Sequence, residues 1–269
     1  MEGSKYAFKV FYLGYNYYGF VMQKGKPTIE GLLREVFKGR ICNGRMHVTY
    51  ASRTDRQVHA IGQTITINVR NVDVDEVNSE LPEDISIWAH CIAPNNFDAR
   101  RSTIYRHYKY VIPDKNLNVD YIRKSLKEIV GIHNFKKFCY KVNQPSVIRR
   151  IYFAKIEEKD EYITLEFIAS KFARGLVRNL VSMLIHVGRR EVGSIDNIWN
   201  YHEKLQMAPP ENLYLINAYY PLPYEVNNKG IEKVVKILTR GIHEQAVSKN
   251  YLFKEMLEDF RKMLMEIKN

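Results

Sequence analysis

The feature of this sequence that most constrains its fold is an order of strand, helix and strand that occurs twice along the chain. Residues 6–12 follow a period of two, which predicts a first strand. Residues 28–37 carry apolar side chains at helical spacing behind Thr28, a suitable N-cap. Two more strands, predicted at 46–51 and 61–69, flank the turn-forming residues 52–59. Strand ends of this kind are where proteins commonly present reactive side chains.

A turn or linker at Pro113 and Asp114 separates two rounds of predicted elements. Before it, the first round continues with a helix at 73–81 and strands at 85–91 and 105–112. After it, the second round has a helix at 119–130, strands at 148–157 and 162–170, helices at 176–187 and 194–205, and a strand at 213–220. This order predicts an α+β fold of two similar lobes, residues 1–112 and 113–224. Each lobe is expected to be a sheet with helices on one face, and the two to share one continuous, mainly antiparallel sheet.

The charge of the chain favours an anionic partner. It carries 41 Lys and Arg against 30 Asp and Glu, which gives a formal net charge of +11. Nucleic acid is the leading partner for such a chain, and a basic surface that serves only solubility is the alternative. Three widely spaced cysteines argue against a disulfide framework and fit a reducing, cytoplasmic compartment. The sequence predicts neither a signal peptide nor a membrane-spanning segment.

Residues 225–269 form a third segment with two helical apolar stripes. The first stripe includes Val234 and Leu238, and the second includes Phe253 and Phe260. Stripes of this kind usually pack on the parent domain. A contact with a second copy of the chain or with RNA is the alternative interpretation.

Residues 52–59 contain the first candidate for chemistry. Asp55 lies between Arg53 and Arg56, and neighbouring cations favour the ionised form of a carboxyl group. The alternative is a turn aspartate that bonds its own backbone, which is common in loops. His59 follows four residues later, but one Asp and one His are weak evidence for a metal site.

The predicted strand at 105–112 combines cations with tyrosines. Arg106, Tyr108 and Tyr110 fall on one face, and His107 and Lys109 fall on the other. A flat ring on such a strand can meet a base while the cations meet phosphate. A half-buried strand with a solvated basic side is the alternative.

A second basic segment lies at the start of the predicted helix at 176–187. Arg174 and Arg178 are four residues apart, with Lys171 one turn earlier, near a helix N-terminus that favours a phosphate or a carboxylate. A solvated polar stripe opposite the apolar face is the alternative. The sequence has no Gly-rich phosphate loop and no zinc-ligand spacing, which argues against nucleotide hydrolysis and zinc-dependent deamination.

Taken in order, these segments resemble the tRNA pseudouridine synthase A (TruA) family, in its archaeal type. The family's active-site motif reads Gly-Arg-Thr-Asp-Ala-Gly-Val-His-Ala, and residues 52–60 read Ser-Arg-Thr-Asp-Arg-Gln-Val-His-Ala. The similar segments elsewhere, within residues 5–221, are Tyr-Tyr-Gly-Phe at 17–20 with Gln23, Phe-Asp-Ala-Arg at 97–100, Gly-Ile-His-Asn-Phe at 131–135, residues 172–179, and Leu-Tyr-Leu at 213–215 before Pro221. Any one motif is weak evidence, and six in the right order identify the chain as a member of this family.

The resemblance implies a fold, a partner and roles for residues. It implies two lobes around a basic cleft, in a homodimer that cradles tRNA and needs no metal or cofactor. By position, Asp55 is the catalytic aspartate, Arg178 pairs with it, and Tyr108 stacks on the target base. The other implied or candidate substrate contacts are Arg53, Arg56, His59, Arg106, Lys109, Phe172, Arg174 and Leu213.

The chain departs from the family pattern around the aspartate. Ser52 replaces a glycine, and Arg56 and Gln57 replace an Ala-Gly pair, so the loop after Asp55 is expected to differ and Arg56 to come within reach of phosphate. The two C-terminal helices have no counterpart in the bacterial members.

The implied reaction is the isomerisation of uridine to pseudouridine at the 3′ side of the anticodon stem-loop. A carboxylate can take part by attacking ribose C1′, by attacking C6 of the base or by removing the ribose 2′ proton, and the sequence does not separate these roles. Two other classes stay open: an RNA-binding protein without chemistry, and a glycosidase that releases free uracil.

Overall fold

Backbone contacts divide the protein into two compact units. The computed structural model describes residues 3–41, 46–70, 72–140, 143–189, 198–201, 206–244 and 247–268. One unit is Met1–Ile104 with Tyr214–Asn269, and the other is Tyr105–Leu213. This grouping places the strand at 105–112 in the second unit and the C-terminal helices in the first. The predicted domain boundaries, after residues 112 and 224, differ from this division by contacts. That the predicted domains fold as units stays a prediction.

The described part of the chain contains ten strands and six α-helices, which confirms the predicted α+β class and mainly antiparallel pairing. The strands are β1 Ser4–Tyr12, β2 Val48–Tyr50, β3 His59–Val69, β4 Ile85–Ile92, β5 Tyr105–Ile112, β6 Gly131–Asn134, β7 Ile148–Glu158, β8 Ile163–Ala169, β9 Leu213–Tyr219 and β10 Glu225–Val226. The helices are α1 Ile29–Phe37, α2 Val74–Glu80, α3 Val119–Ile129, α4 Leu176–Arg189, α5 Asn228–Glu244 and α6 Val247–Lys268.

Most of these elements match the predicted ones within a few residues. The short strands β6 and β10 are additional to the prediction. The helix predicted at 194–205 lies mainly outside the described residues, and within them Ile198–Asn200 forms a single 3-10 turn.

The first unit is built on a sheet with the strand order β10, β4, β1, β3, β9, with β2 paired to β3. Neighbouring strands in this order run antiparallel except for β3 and β9, which run parallel with His59 opposite Tyr214. Both faces of the central strand β1 are covered, whereas the alternation of its residues predicted that only one face would be packed. Phe8 packs on Phe37 of α1 with ring centroids 5.1 Å apart, and Ala7 lies in a buried cluster with Tyr220 on the other face.

The C-terminal helices are part of the core of the first unit. Trp88 of β4 is fully buried and meets Phe260 of α6 edge-on, with ring centroids 5.3 Å apart. Burial of a ring like that of Phe260 contributes about 2–3 kcal/mol to stability. Helix α5 packs against both β4 and α6. A Cβ atom on Gly241 of α5 would lie 2.5 Å from the ring of Phe253, so the close approach of the two helices needs this glycine. The packing interpretation of the two apolar stripes is therefore confirmed.

The second unit has a sheet with the antiparallel order β5, β8, β7, β6. Helix α3 packs against β7 and against α4. Asn118 caps α3, because its side-chain oxygen accepts a hydrogen bond from the backbone N–H of Tyr121 at 3.0 Å. In neither unit do the described residues include a helix that is both long and apolar enough to cross a membrane.

Candidate active site

The Asp55 loop, residues 51–58, joins β2 to β3 in the first unit. Asp55 is partly exposed, its neighbour Thr54 is buried, and Arg53 and Arg56 are exposed. Among the described residues, no carboxylate lies within ion-pair distance of either arginine. The loop therefore presents one carboxylate between two arginines, and neither arginine forms an ion pair with another described residue.

Gln57 adopts a backbone conformation that is rare for its residue type. Its φ of 67° makes it the one non-glycine residue with a positive φ in the described part of the chain. This left-handed conformation costs a residue with a Cβ atom about 1 kcal/mol and costs glycine nothing. The glycine that the family motif has at this position suits the same conformation, so the exchange to Gln does not by itself require a different loop.

The loop is held from beneath by two fully buried side chains. The amide of Gln63 accepts a hydrogen bond from the backbone N–H of Ser52 at 3.1 Å and donates one to the Ser52 carbonyl at 2.8 Å. The hydroxyl groups of Tyr12 and Thr54 form a hydrogen bond of 2.7 Å. Breaking these bonds would leave buried polar groups unsatisfied, at about 1–3 kcal/mol each. The backbone on the N-terminal side of Asp55 is thus fixed in place.

Two glycines allow the connection between β1 and α1 to lie directly against the loop. A Cβ atom on Gly14 would be 2.2 Å from the carbonyl oxygen of Val58, and one on Gly19, which has a φ of 94°, would be 2.9 Å from that of Thr54. The backbone N–H of Gly14 donates to Nδ1 of His59 at 2.9 Å. Because His59 is completely buried, its position supports the loop and does not favour the predicted contact with substrate.

Tyr108 lies on β5 in the second unit. It is 4% exposed, and its ring meets that of Phe172 edge-on, with centroids 5.3 Å apart and planes at 90°. Arg106, two residues earlier, is also buried and donates to the carbonyl of Ser170. The predicted alternation along β5 is confirmed, since His107 and Lys109 both contact Glu166.

Lys109 is an internal cation, so the alternative of a solvated basic side on β5 does not hold at this position. It is 2% exposed, and its ammonium group lies 3.2 Å from Glu166, which also contacts His107 and Lys155. Burial disfavours the charged form of Glu166, but the hydrogen bond from His107 and the charge of Lys109 outweigh it and lower the pKa to about 2. This charge is used within the protein, so the position does not favour the predicted phosphate contact.

Arg174 and Arg178 do not share a helical face, and this prediction is wrong. Helix α4 begins at Leu176, and Gly175, with a φ of 74°, separates Arg174 from it. The guanidinium of Arg174 lies over the ring of Tyr140, 5.1 Å from its centroid, and is exposed. Arg178 lies in the first turn of α4, and its Nε donates to the carbonyl of Ala208 at 2.7 Å.

The predicted site residues fall into both units. Arg53, Asp55, Arg56 and His59 belong to the first unit. The second unit contains Arg106, Tyr108, Lys109, Phe172, Arg174, Arg178 and Leu213. Leu213 is 5% exposed at the first position of β9. Over the ranges that the structure describes, no group of three or more His, Cys, Asp or Glu side chains is arranged to hold a metal ion.

The sequence reasoning missed the residues that position the aspartate. Nothing in the sequence distinguishes Tyr12, Gly14 and Gln63 from ordinary strand and loop residues, because their function depends on neighbours from other segments. The one available signal was the pair Gly62 and Gln63, an uncommon choice inside a strand rich in β-branched residues.

Comparison with known proteins gives consistent matches. Residues 126–221 match the family model described as tRNA pseudouridine synthase. The chain is 30% identical to tRNA pseudouridine synthase A of Archaeoglobus fulgidus over 258 residues, which cover 93% of this chain and 95% of the relative. It is 32% identical to the protein of the same name from Methanococcoides burtonii over 233 residues, covering 81% and 84%.

Among solved structures, the chain is similar to one in a crystal structure of a Cbf5-Nop10-Gar1 complex. The TM-score is 0.35 at 12% identity, over 67% of this chain and 45% of that one. The chain thus spans less than half of that protein, and a similarity of this size supports no inference about function.

Proposed function

The chain belongs to the tRNA pseudouridine synthase A family, and from this premise we propose that Asp55 is the carboxylate with which it converts uridine to pseudouridine in the anticodon stem-loop of tRNA. The observation that carries the role of Asp55 is its placement. A partly exposed carboxylate stands on a loop that Gln63 and Tyr12 fix from beneath. Catalytic groups need this kind of preorganisation, because small displacements from the reacting atoms are costly.

The reaction exchanges one bond to the ribose for another. The bond between C1′ and N1 breaks, the uracil rotates, and a bond from C1′ to C5 forms. The proton on C5 leaves to solvent and N1 takes one up, so atoms and electrons balance without an electron carrier. An ionised Asp55 can serve by attack at C1′, by addition at C6 or by removal of the 2′ proton.

Residues of the second unit take the remaining roles in this proposal. Tyr108, whose ring meets that of Phe172 edge-on, stacks on the flipped base. Arg178 pairs with Asp55 and supplies the counter-charge to its carboxylate when the substrate covers it. Leu213 packs under the base. These roles are carried over from the family by position.

The same resemblance suggests the target and the assembly. We place the target uridines at the 3′ side of the anticodon stem-loop, and the working form as a cytoplasmic homodimer that cradles tRNA. The net charge of +11 supports an RNA partner. Exposed cations such as Arg53 and Arg174 are suited to phosphate contacts that position the RNA.

The test is release of tritium from tRNA that carries 5-tritiated uridine. Wild-type protein is expected to release tritium and to leave pseudouridine in the RNA, and Asp55→Asn to release none. The Kd of Asp55→Asn for tRNA should stay within about threefold of wild type, because phosphate contacts supply most of the affinity. The matched control is Asp73→Asn at the N-cap of α2, which should keep full activity since asparagine caps a helix equally well.

Each other outcome contradicts a part of the proposal. Tritium release by Asp55→Asn would remove Asp55 from the mechanism. Binding of tRNA by wild type without any release would make the protein a binder. Free uracil beside an abasic ribose, detected by mass spectrometry, would make it a glycosidase.

A further inference from the structure

Two cations lie against the ring of an exposed tyrosine next to the Asp55 loop. The guanidinium of Arg56 lies 4.5 Å from the centroid of the Tyr18 ring, and the ammonium of Lys26 lies 4.9 Å from it. We refer to Tyr18, Lys26 and Arg56 as the Tyr18 cluster. All three belong to the first unit, and Tyr18 is 37% exposed. The two positive groups are therefore within about 10 Å of each other, which is close to the Debye length of about 8 Å at physiological salt.

The backbone around the ring is well anchored. The N–H of Tyr18 donates to the carbonyl of Pro27 at 2.9 Å, and the side chain of Gln23 donates to the carbonyl of Tyr18 at 2.8 Å. Gln23 and Lys26 form an isolated β-bridge across a turn in which Gly25 has a φ of 71°. The ring is thus a preformed platform, and it limits the freedom of the arginine stacked on it.

No acidic side chain among the described residues neutralises this cluster. Its nearest candidate along the adjoining helix, Glu30, is already engaged: Oε1 pairs with Arg34 at 2.7 Å, and Oε2 accepts from the backbone N–H of Met22 at 2.9 Å. Other cations of the first unit do have acidic partners, and Arg40, for example, contacts both Glu76 and Glu80. Two cations against one ring repel each other, and an anion bound beside them would reduce that cost.

We propose that the Tyr18 cluster binds a phosphodiester of the RNA substrate beside the nucleotide on which Asp55 acts. The guanidinium fork matches two phosphate oxygens, and its stacking on Tyr18 reduces the rotamer freedom that binding removes. Arg56 directly follows Asp55, about 3.8 Å along the backbone, so the phosphate it reaches flanks the target uridine. The family motif has alanine at this position, and this contact is therefore particular to chains that carry the arginine. The inference rests on the proposed function.

The salt dependence of RNA binding tests this contact. The Kd of a synthetic anticodon stem-loop is measured at several KCl concentrations for wild type, Arg56→Ala and Lys236→Ala. Lys236 is an exposed cation on α5 outside the cluster and controls for the loss of one charge. Arg56→Ala is expected to weaken binding about tenfold and to make the slope of log Kd against log salt shallower by about 0.7–1. Lys236→Ala should change neither.

A methylphosphonate scan locates the phosphate. Each phosphate near the target uridine is replaced in turn by a neutral methylphosphonate. One replacement next to the uridine should weaken binding by wild type and leave binding by Arg56→Ala unchanged. Tyr18→Phe keeps the ring and should bind like wild type, whereas Tyr18→Ala should lose part of the affinity.

The outcomes separate this inference from the proposed function. If wild type forms pseudouridine but Arg56→Ala has the same slope and Kd as wild type, the cluster does not bind phosphate. The same conclusion follows if no methylphosphonate position distinguishes the two proteins. If wild type forms no pseudouridine at all, the proposed function fails, while the slopes still report whether Arg56 contacts RNA.

Discussion

Gln63→Met should show how much catalysis depends on the position of Asp55, as distinct from the stability of the fold. Methionine has nearly the same length and volume as glutamine but cannot form the two hydrogen bonds with Ser52. Gln63 itself is completely buried, so its own site stays packed. The substitution therefore removes these two bonds under the loop and a longer one, of 3.5 Å, that the Gln63 amide donates to the Tyr12 hydroxyl.

The expected loss of stability follows from the two bonds. Each contributes about 1 kcal/mol net, and the half-buried peptide of Ser52 is only partly rehydrated when they are lost. The sum is roughly 2–3 kcal/mol, or a fall in Tm of about 5–10 °C for a chain of this size. Because a displacement of about 1 Å can cost a hundredfold in rate, we expect kcat to fall about a hundredfold.

Asn78→Leu is the matched control. Asn78 is also a buried amide that bonds both backbone groups of one residue, Ile87, at 2.8 Å each, but it lies on α2, away from the Asp55 loop. Both variants should lose similar stability in thermal unfolding. At a temperature where both stay folded, saturating single-turnover assays should show a lower kcat for Gln63→Met only. Equal kcat values in the two variants would refute the positioning role of Gln63.

Three further predictions concern the loop, the base platform and acid stability. Gly14→Ala would place a Cβ atom 2.2 Å from the backbone of Val58 and should lower kcat at least tenfold, whereas Gly39→Ala, with open space around it, should be neutral in the same assay. Tyr108→Leu should lower kcat/KM by about tenfold to a hundredfold through loss of stacking, and Tyr108→Phe much less; equal losses would contradict a stacking role. Since the folded-state pKa of Glu166 is lowered from 4.5 to about 2, it stabilises the fold above pH 4.5, and this contribution should fade as the pH drops toward 2. Urea unfolding from pH 6 to pH 3 should show wild type losing about 1–2 kcal/mol more than Glu166→Gln, after discounting for solvent screening, and parallel curves would contradict it.

Much of the secondary structure follows from local patterns. The strand predicted at 105–112 has those bounds in the structure, because its tyrosines occur among basic residues at strand-like spacing and Val111 and Ile112 follow before the turn at Pro113. Strands β6 and β10 have four and two residues and were not predictable, since such short segments show no period. Gly175 interrupted the expected helical face of Arg174 and Arg178, an effect of φ that spacing alone did not reveal.

The candidate site was predictable only in part, because its support comes from distant segments. Gln63 reaches Ser52 because β2 and β3 pair with Thr49 opposite Thr66, and that register is not visible in either strand alone. Lys109 and Glu166 are likewise paired across β5 and β8, 57 positions apart in the chain, so the sequence could not show that the cation is neutralised. The motif around Asp55 could be recognised because it is contiguous.

The central claim is that Asp55 acts on a uridine that has left its stack. The most direct measurement is a structure of the protein bound to an anticodon stem-loop with 5-fluorouridine at the target position. In this complex we expect the base flipped onto Tyr108, a carboxylate oxygen of Asp55 within about 3.5 Å of C1′, C2′ or C6, and the guanidinium of Arg178 paired with that carboxylate. A uridine still stacked in the RNA, or an Asp55 side chain in bulk solvent with no guanidinium beside it, would show that Asp55 does not act in this way.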